Sequence, residues 1–291
     1  MQPLNFLRQA TDYVTKHELP YYKKNYPKDA KCIKEILSTA FTSSEKFILP
    51  NLGKILDDDL KAVPDYLQLP FKSIVLEFTA VNDGVLEDVR SVEDTPAPKR
   101  VIIAFQRTED IVLYSIAYCH RADGSKGWTF SPFSAIIPND AIRRSNGDVE
   151  FIFKASAITD GVMIKTLYGD TLEEVAYKDL SKEVFILLGF LEALSCSNVG
   201  YSERVSSTIP SASLKKAKNP FDSYRTLVIN VSRKPEVGDP STMINERASP
   251  REHVRRGHVR HYSSGLKIWI NNTIVSAGSG GRIEKTYVIK P

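Results

Sequence analysis

Three of the chain's five histidines, His253, His258 and His261, fall within nine residues in the run PREHVRRGHVRHYSSG, alongside Arg251, Arg255, Arg256 and Arg260. Imidazoles move protons near neutral pH, and guanidiniums hold developing negative charge, so these are the side chains a metal-free phosphodiester cleavage requires. In such a reaction His253 and His258 serve as base and acid, with Arg256, Arg260 and Lys285 on the phosphate. The same text also suits a surface that grips a nucleic-acid backbone without chemistry. Arg255, Arg256, Arg260, Lys267, Arg282 and Lys285 would then hold phosphates while Trp269, in KIWIN, stacks a base. A third reading is structural, with these residues paired to acidic side chains from the N-terminal part. The sequence leaves all three open.

Charge is distributed in favour of an anionic partner. Residues 249–291 carry eight Lys or Arg against Glu252 and Glu284, a net of +6, whereas the whole chain carries only +4. The preceding 248 residues are therefore net −2, and the C-terminal segment is expected to meet an anion. A metal is not expected among the histidines, because four flanking arginines would oppose it, and no cofactor is expected elsewhere.

Other chemistry-bearing residues have plainer readings. Cys32, Cys119 and Cys196 are widely spaced and form no C-x-x-C pair, so neither a disulfide framework nor a zinc site is expected. Cys196 lies in the apolar run VFILLGFLEALSCSNV and reads as a buried small residue rather than a nucleophile. Gly278-Ser279-Gly280-Gly281-Arg282 lacks the strand–loop–helix setting of a nucleotide loop and reads as a hairpin. Asp57-Asp58-Asp59 reads as a solvated face rather than a cation cluster.

The elements that must position the basic segment follow from periodicity. Helices are expected from Leu4 to about His17, from about Asp29 to Ala40 and near Lys54 to Ala62, with Pro20 and Pro27 as breakers. Strands are expected at Ser73 to Phe78, at Val101 to Phe105 paired with Ile111 to Cys119, at Trp128 to Phe133 and at Val149 to Ala155. Residues 82–99 read as an exposed loop. Leu180 to Cys196 has the strongest helical pattern in the chain. Residues 199–222 and 232–249 read as irregular, around a strand from Tyr224 to Val231.

The last strands are expected at Val254 to Tyr262, Lys267 to Val275 and Thr286 to Lys290, with Ser263-Ser264-Gly265 turning between the first two. Alternation along Val254 to Tyr262 puts Arg256, His258 and Arg260 on one face and His253, Arg255 and His261 on the other. Gly257 is where a bulge or bend would bring the two sets together.

The segment SPREHVRRGHVRHYSSGLKIWINNTIVSAGSGGRIEKTYVIK resembles a C-terminal motif of bacteriophage- and prophage-encoded proteins of unassigned function. Their pattern is H-x-R-R-G-H-x-R, a Ser-Gly turn, a W-V-type strand and a K-x-Y strand. His253, Arg255, Arg256, Gly257, His258 and Arg260 match it, and Val259 stands where an aromatic is common. Upstream, LPFKSIVLEF and LEALSCSNVGYSE are similar to the same proteins' middle sections. The resemblance implies a phage or mobile-element origin and a role in the cytoplasm of a bacterial host. The order of elements over 182–290 also looks like the small antiparallel-sheet ribonuclease fold of many bacterial and phage toxins.

The expected architecture is α+β: a helical region over 1–70, a central antiparallel β region over 71–180, and a helix plus basic sheet over 181–291, or all three as one domain. The expected partner is nucleic acid, RNA more than DNA, or an acidic host protein. Metal-independent ribonuclease activity is the stronger form of this reading, and a non-enzymatic host-interaction or structural phage protein is the alternative. No apolar run approaches the roughly 20 residues of a membrane span, and no membrane partner is expected.

Overall fold

Along Ser73–Thr79, Ile74, Leu76 and Phe78 alternate with Val75 and Glu77, and this two-residue period sorts the whole protein into layers. A computed structural model describes residues 5–55, 66–82, 85–86, 97–120, 124–145, 148–158, 172–205, 223–229, 253–255, 258–270 and 273–275. The even residues of this strand join a core built on one long helix. Val75 joins a second core built on the N-terminal helices. A sheet covered on both faces explains why every side chain from Ser73 to Phe78 is buried.

The helical layer comprises α1 (Phe6–Tyr13), a π-helical turn (Val14–Glu18), α2 (Leu19–Asn25) and α3 (Pro27–Ser43). Pro20 does not end a helix as the sequence suggests. It occupies the first turn of α2, where its missing N–H would have had no partner in that helix. The widened turn before it, closed by the Leu19 N–H on the Val14 carbonyl, carries the chain across. Pro27 acts as expected: Tyr26 leaves the helical region at φ −141° and α3 starts anew.

The strands are β1 (Glu45–Ile48), β2 (Ser73–Thr79), β3 (Val81–Asn82), β4 (Val85–Leu86), β5 (Lys99–Gln106), β6 (Asp110–His120), β7 (Lys126–Pro138), β8 (Ile142–Ser145), β9 (Asp148–Phe151) and β10 (Lys154–Ala157). After α4 (Leu172–Leu194) come β11 (Val199–Val205), β12 (Ser223–Ile229), β13 (His253–Arg255), β14 (His258–His261), β15 (Lys267–Ile270) and β16 (Thr273–Val275). Eight of them form one sheet in the order β10-β7-β6-β5-β2-β1-β12-β11. The fold is α+β. The sheet is antiparallel except at β1, which runs parallel to both neighbours. It draws strands from each of the three expected regions.

Five strands escaped the sequence reading: β1, only four residues long, the short β3, β4 and β8, of which β4 lies in the expected loop 82–99, and β11, in text read as irregular. The expected strand Val149 to Ala155 is two, β9 and β10, in separate sheets. The expected helix near Lys54 to Ala62 falls mostly outside the described residues, as do most of 82–99 and all of Thr286 to Lys290. Among the described residues, no helix is long and apolar enough to cross a membrane.

Charged side chains sit inside both cores. Arg100 on β5 and Glu183 on α4 meet at 2.7 Å with side chains 4% and 3% exposed, and the Ser115 hydroxyl donates to the same carboxylate oxygen. On the opposite face, Glu77 accepts the Phe6 and Leu7 N–H groups at 3.2 and 3.0 Å. Asn5 supplies no side-chain cap to α1, so a strand residue 70 positions away does so instead. Burial pushes the Glu77 carboxyl up to about 7 although Lys46 and both amides pull it down.

Candidate nucleic-acid interface

The basic segment folds as the hairpin its alternation suggests. β13 pairs with β16 and β14 with β15, both antiparallel, and the offset between partners is the same in the two pairs: His253 faces Val275 and His258 faces Ile270. Gly257, where the sequence suggests a bend, lies outside the described residues. The hairpin's turn is the expected Ser263-Ser264-Gly265. Gly265 adopts φ +82° and donates its N–H to Tyr262 O, and the Tyr262 N–H closes the loop on Leu266 O.

The hairpin is docked on the end of α4. Asn198 acts as a surrogate strand: its Nδ2 donates to Trp269 O at 2.9 Å and its Oδ1 accepts the Trp269 N–H at 2.8 Å. The Ser197 N–H and hydroxyl both donate to Lys267 O, at 2.9 and 3.1 Å. The Trp269 ring is half-buried against the main core. The ring expected to stack a base therefore also helps to seat the hairpin on the core.

The exposed ring at this end is Tyr262, 41% exposed, with the Arg260 guanidinium 5.5 Å from its centroid. Arg260 is exposed, and its contact among the described residues is the Tyr262 ring. Arginine does pair with a carboxylate elsewhere: Arg225 on β12 bonds Glu45 at 3.0 Å and lies 5.0 and 4.9 Å from the Phe71 and Tyr201 rings.

His253 and Arg255 fall on β13, and His258, Arg260 and His261 on β14. Arg256, Arg282 and Lys285 lie outside the described residues. Lys267 is half-buried with its carbonyl held by Ser197. Cys196 is buried, and its thiol is pushed up to about 11 by burial and by Glu192, against Lys267, which leaves it protonated and poorly suited to nucleophilic attack. Among the described residues no group of three His, Cys, Asp or Glu converges on a metal position.

Sequence reasoning missed Tyr262 and Asn198. Tyr262 was within reach of the alternation that placed Arg260, two residues earlier on the same face. Asn198 carried no signal, because a clamp between residues 71 apart leaves none in local text. Neither protein-family models, nor curated proteins, nor solved structures gave a match to this chain.

Proposed function

We propose that this chain binds nucleic acid, RNA in preference to DNA, through the basic hairpin 253–275 and the charged residues that flank it. The observation that carries the proposal is the Arg260–Tyr262 pair, a guanidinium on an exposed ring beside a fixed turn, on a hairpin seated by Asn198 and Trp269. A guanidinium meets a phosphate bidentately and a tyrosine face accepts a base, so the pair combines the two contacts a nucleic-acid surface needs. The net +6 of residues 249–291 supports the same partner. The resemblance of this segment to phage proteins places the activity, in this proposal, inside a bacterial host cell.

Binding without cleavage is the form of the proposal favoured here, because the described pair, a guanidinium on an exposed ring, has the make-up of a contact surface. The test is titration of a labelled RNA with the parent and with Arg260→Ala/Tyr262→Ala across a salt series. A weaker complex and a shallower salt dependence are expected. Equal affinity and slope would reject the hairpin as the binding surface, and selective binding of acidic protein in its place would redirect the proposal to a host protein.

A further inference from the structure

A second cationic surface lies at the corner between α2 and α3, far from the hairpin in sequence. Residues 20–34, PYYKKNYPKDAKCIK, hold Lys23, Lys24, Lys28, Lys31 and Lys34 against Asp29, a net of +4 in fifteen residues. That density vanished in the net −2 of the first 248 residues. All five lysines are exposed.

The corner is built to hold its shape. Tyr26 breaks the helix at φ −141° and ψ 69°, its N–H bonds Tyr22 O at 2.6 Å, and its carbonyl accepts the Ala30 N–H at 3.0 Å. The Asn25 side chain donates to Tyr21 O at 2.9 Å and so satisfies a carbonyl at the end of α2. Three tyrosine rings pack there: Tyr21 lies 6.0 Å from Tyr22 and 6.2 Å from Tyr26. Tyr22 is anchored in the N-terminal core, whereas Tyr21 remains 55% exposed. The result is an open ring whose position is set by half-buried neighbours.

The helix dipole favours only two of these lysines by their position. Lys23 and Lys24 stand in the last turn of α2, where cations favour the helix dipole. Lys28 and Lys31 stand in the opening turns of α3, where a cation opposes it. Lys31 lies 4.0 Å from Glu35 with both side chains mostly in water, a pair of small worth. An exposed cationic surface that crosses a helix junction is complementary in charge to an external anion.

The exposed ring selects among anions. Acidic peptides and duplex backbones satisfy lysines alone, but a fixed tyrosine face beside them is useful to a base that is not already stacked on its neighbours. We infer that the α2–α3 corner is a contact surface for single-stranded nucleic acid, with Lys23, Lys24, Lys28 and Lys31 on phosphates and Tyr21 stacking a base. This inference rests on the reading of nucleic acid as the partner, and adds a second surface and a preference for unpaired strands.

The test uses the full chain with fluorescein-labelled single-stranded U20 and a duplex RNA of the same length, titrated from low to high salt. Lys28→Gln/Lys31→Gln should weaken U20 binding roughly tenfold and lower the log–log salt slope by about two. Tyr21→Ala should weaken U20 roughly tenfold with the slope unchanged and the duplex unaffected, and Tyr21→Phe should bind as the parent does. If all three bind U20 like the parent, while Arg260→Ala/Tyr262→Ala does not, the corner is rejected and the hairpin stands. If the corner variants weaken binding and the hairpin variant does not, the corner stands and the hairpin is rejected. Tyr21→Ala weakening U20 and duplex alike, or polyglutamate displacing U20 as well as unlabelled U20 does, would overturn the assignment to single strands.

Discussion

Arg100 and Glu183 meet at 2.7 Å between the sheet and α4, with both side chains almost wholly out of water. Two charges in that setting are held by each other and by Ser115, and removal of either strands its partner. Arg100→Met or Glu183→Leu alone should each cost about 3–5 kcal/mol in denaturant unfolding, while the double replacement should recover most of the loss. Additive losses in the double variant would show that the two side chains do not depend on each other.

Glu77 makes stability fall as pH rises. Its carboxyl is raised from the ordinary 4.5 to about 7, so between those values the folded chain binds a proton that the unfolded chain has released. The contribution is fully present below about pH 4.5 and disappears as pH passes about 7, a change of about 3 kcal/mol at most. Unfolding of the parent and of Glu77→Gln at pH 5 and pH 8 checks this. The parent should lose more stability than the variant over that interval, and equal losses would contradict the assignment.

The turn after β1 has a different constraint. Gly53 adopts φ +67°, and a Cβ there would stand 3.0 Å from the Ile186 side chain of α4. Gly53→Ala should therefore cost about 1–2 kcal/mol, from the left-handed backbone and the crowding together. Thermal unfolding of that variant beside Gly124→Ala, whose Cβ would meet nothing within 4 Å at a similar φ, separates the two contributions.

How far this was legible follows from where each signal resides. The strands of the β5–β6 pair, the helix around Leu180 and the Ser263-Ser264-Gly265 turn announce themselves in residues that are neighbours in the chain. β1 does not: EKFI is too short for a period, and its place is decided by parallel partners at Ile74 to Glu77 and Arg225. Pro20 misled because its effect depends on whether it opens a turn or interrupts one, which Leu19 and the widened turn before it decide. The Arg260 face was readable from alternation, but the inward use of Trp269 came from Asn198, a partner that local text cannot reveal.

That partner can be tested directly. Asn198→Ala removes both hydrogen bonds to Trp269 and leaves the ring to hold the hairpin by packing. Two lost bonds on partly buried backbone should cost about 1–3 kcal/mol, with amide exchange at residues 267–270 accelerated before that of β5 and β6. Uniform acceleration across the sheet would mean that the hairpin is not an independent unit.

Cleavage remains the sharpest chemical question for the hairpin. A two-histidine mechanism needs base and acid on opposite sides of one phosphate. Incubation of the parent with mixed RNA and DNA oligonucleotides, with and without EDTA, should leave both intact. Cleavage that persists in EDTA, follows a bell-shaped pH profile and disappears in His258→Ala would restore the ribonuclease reading.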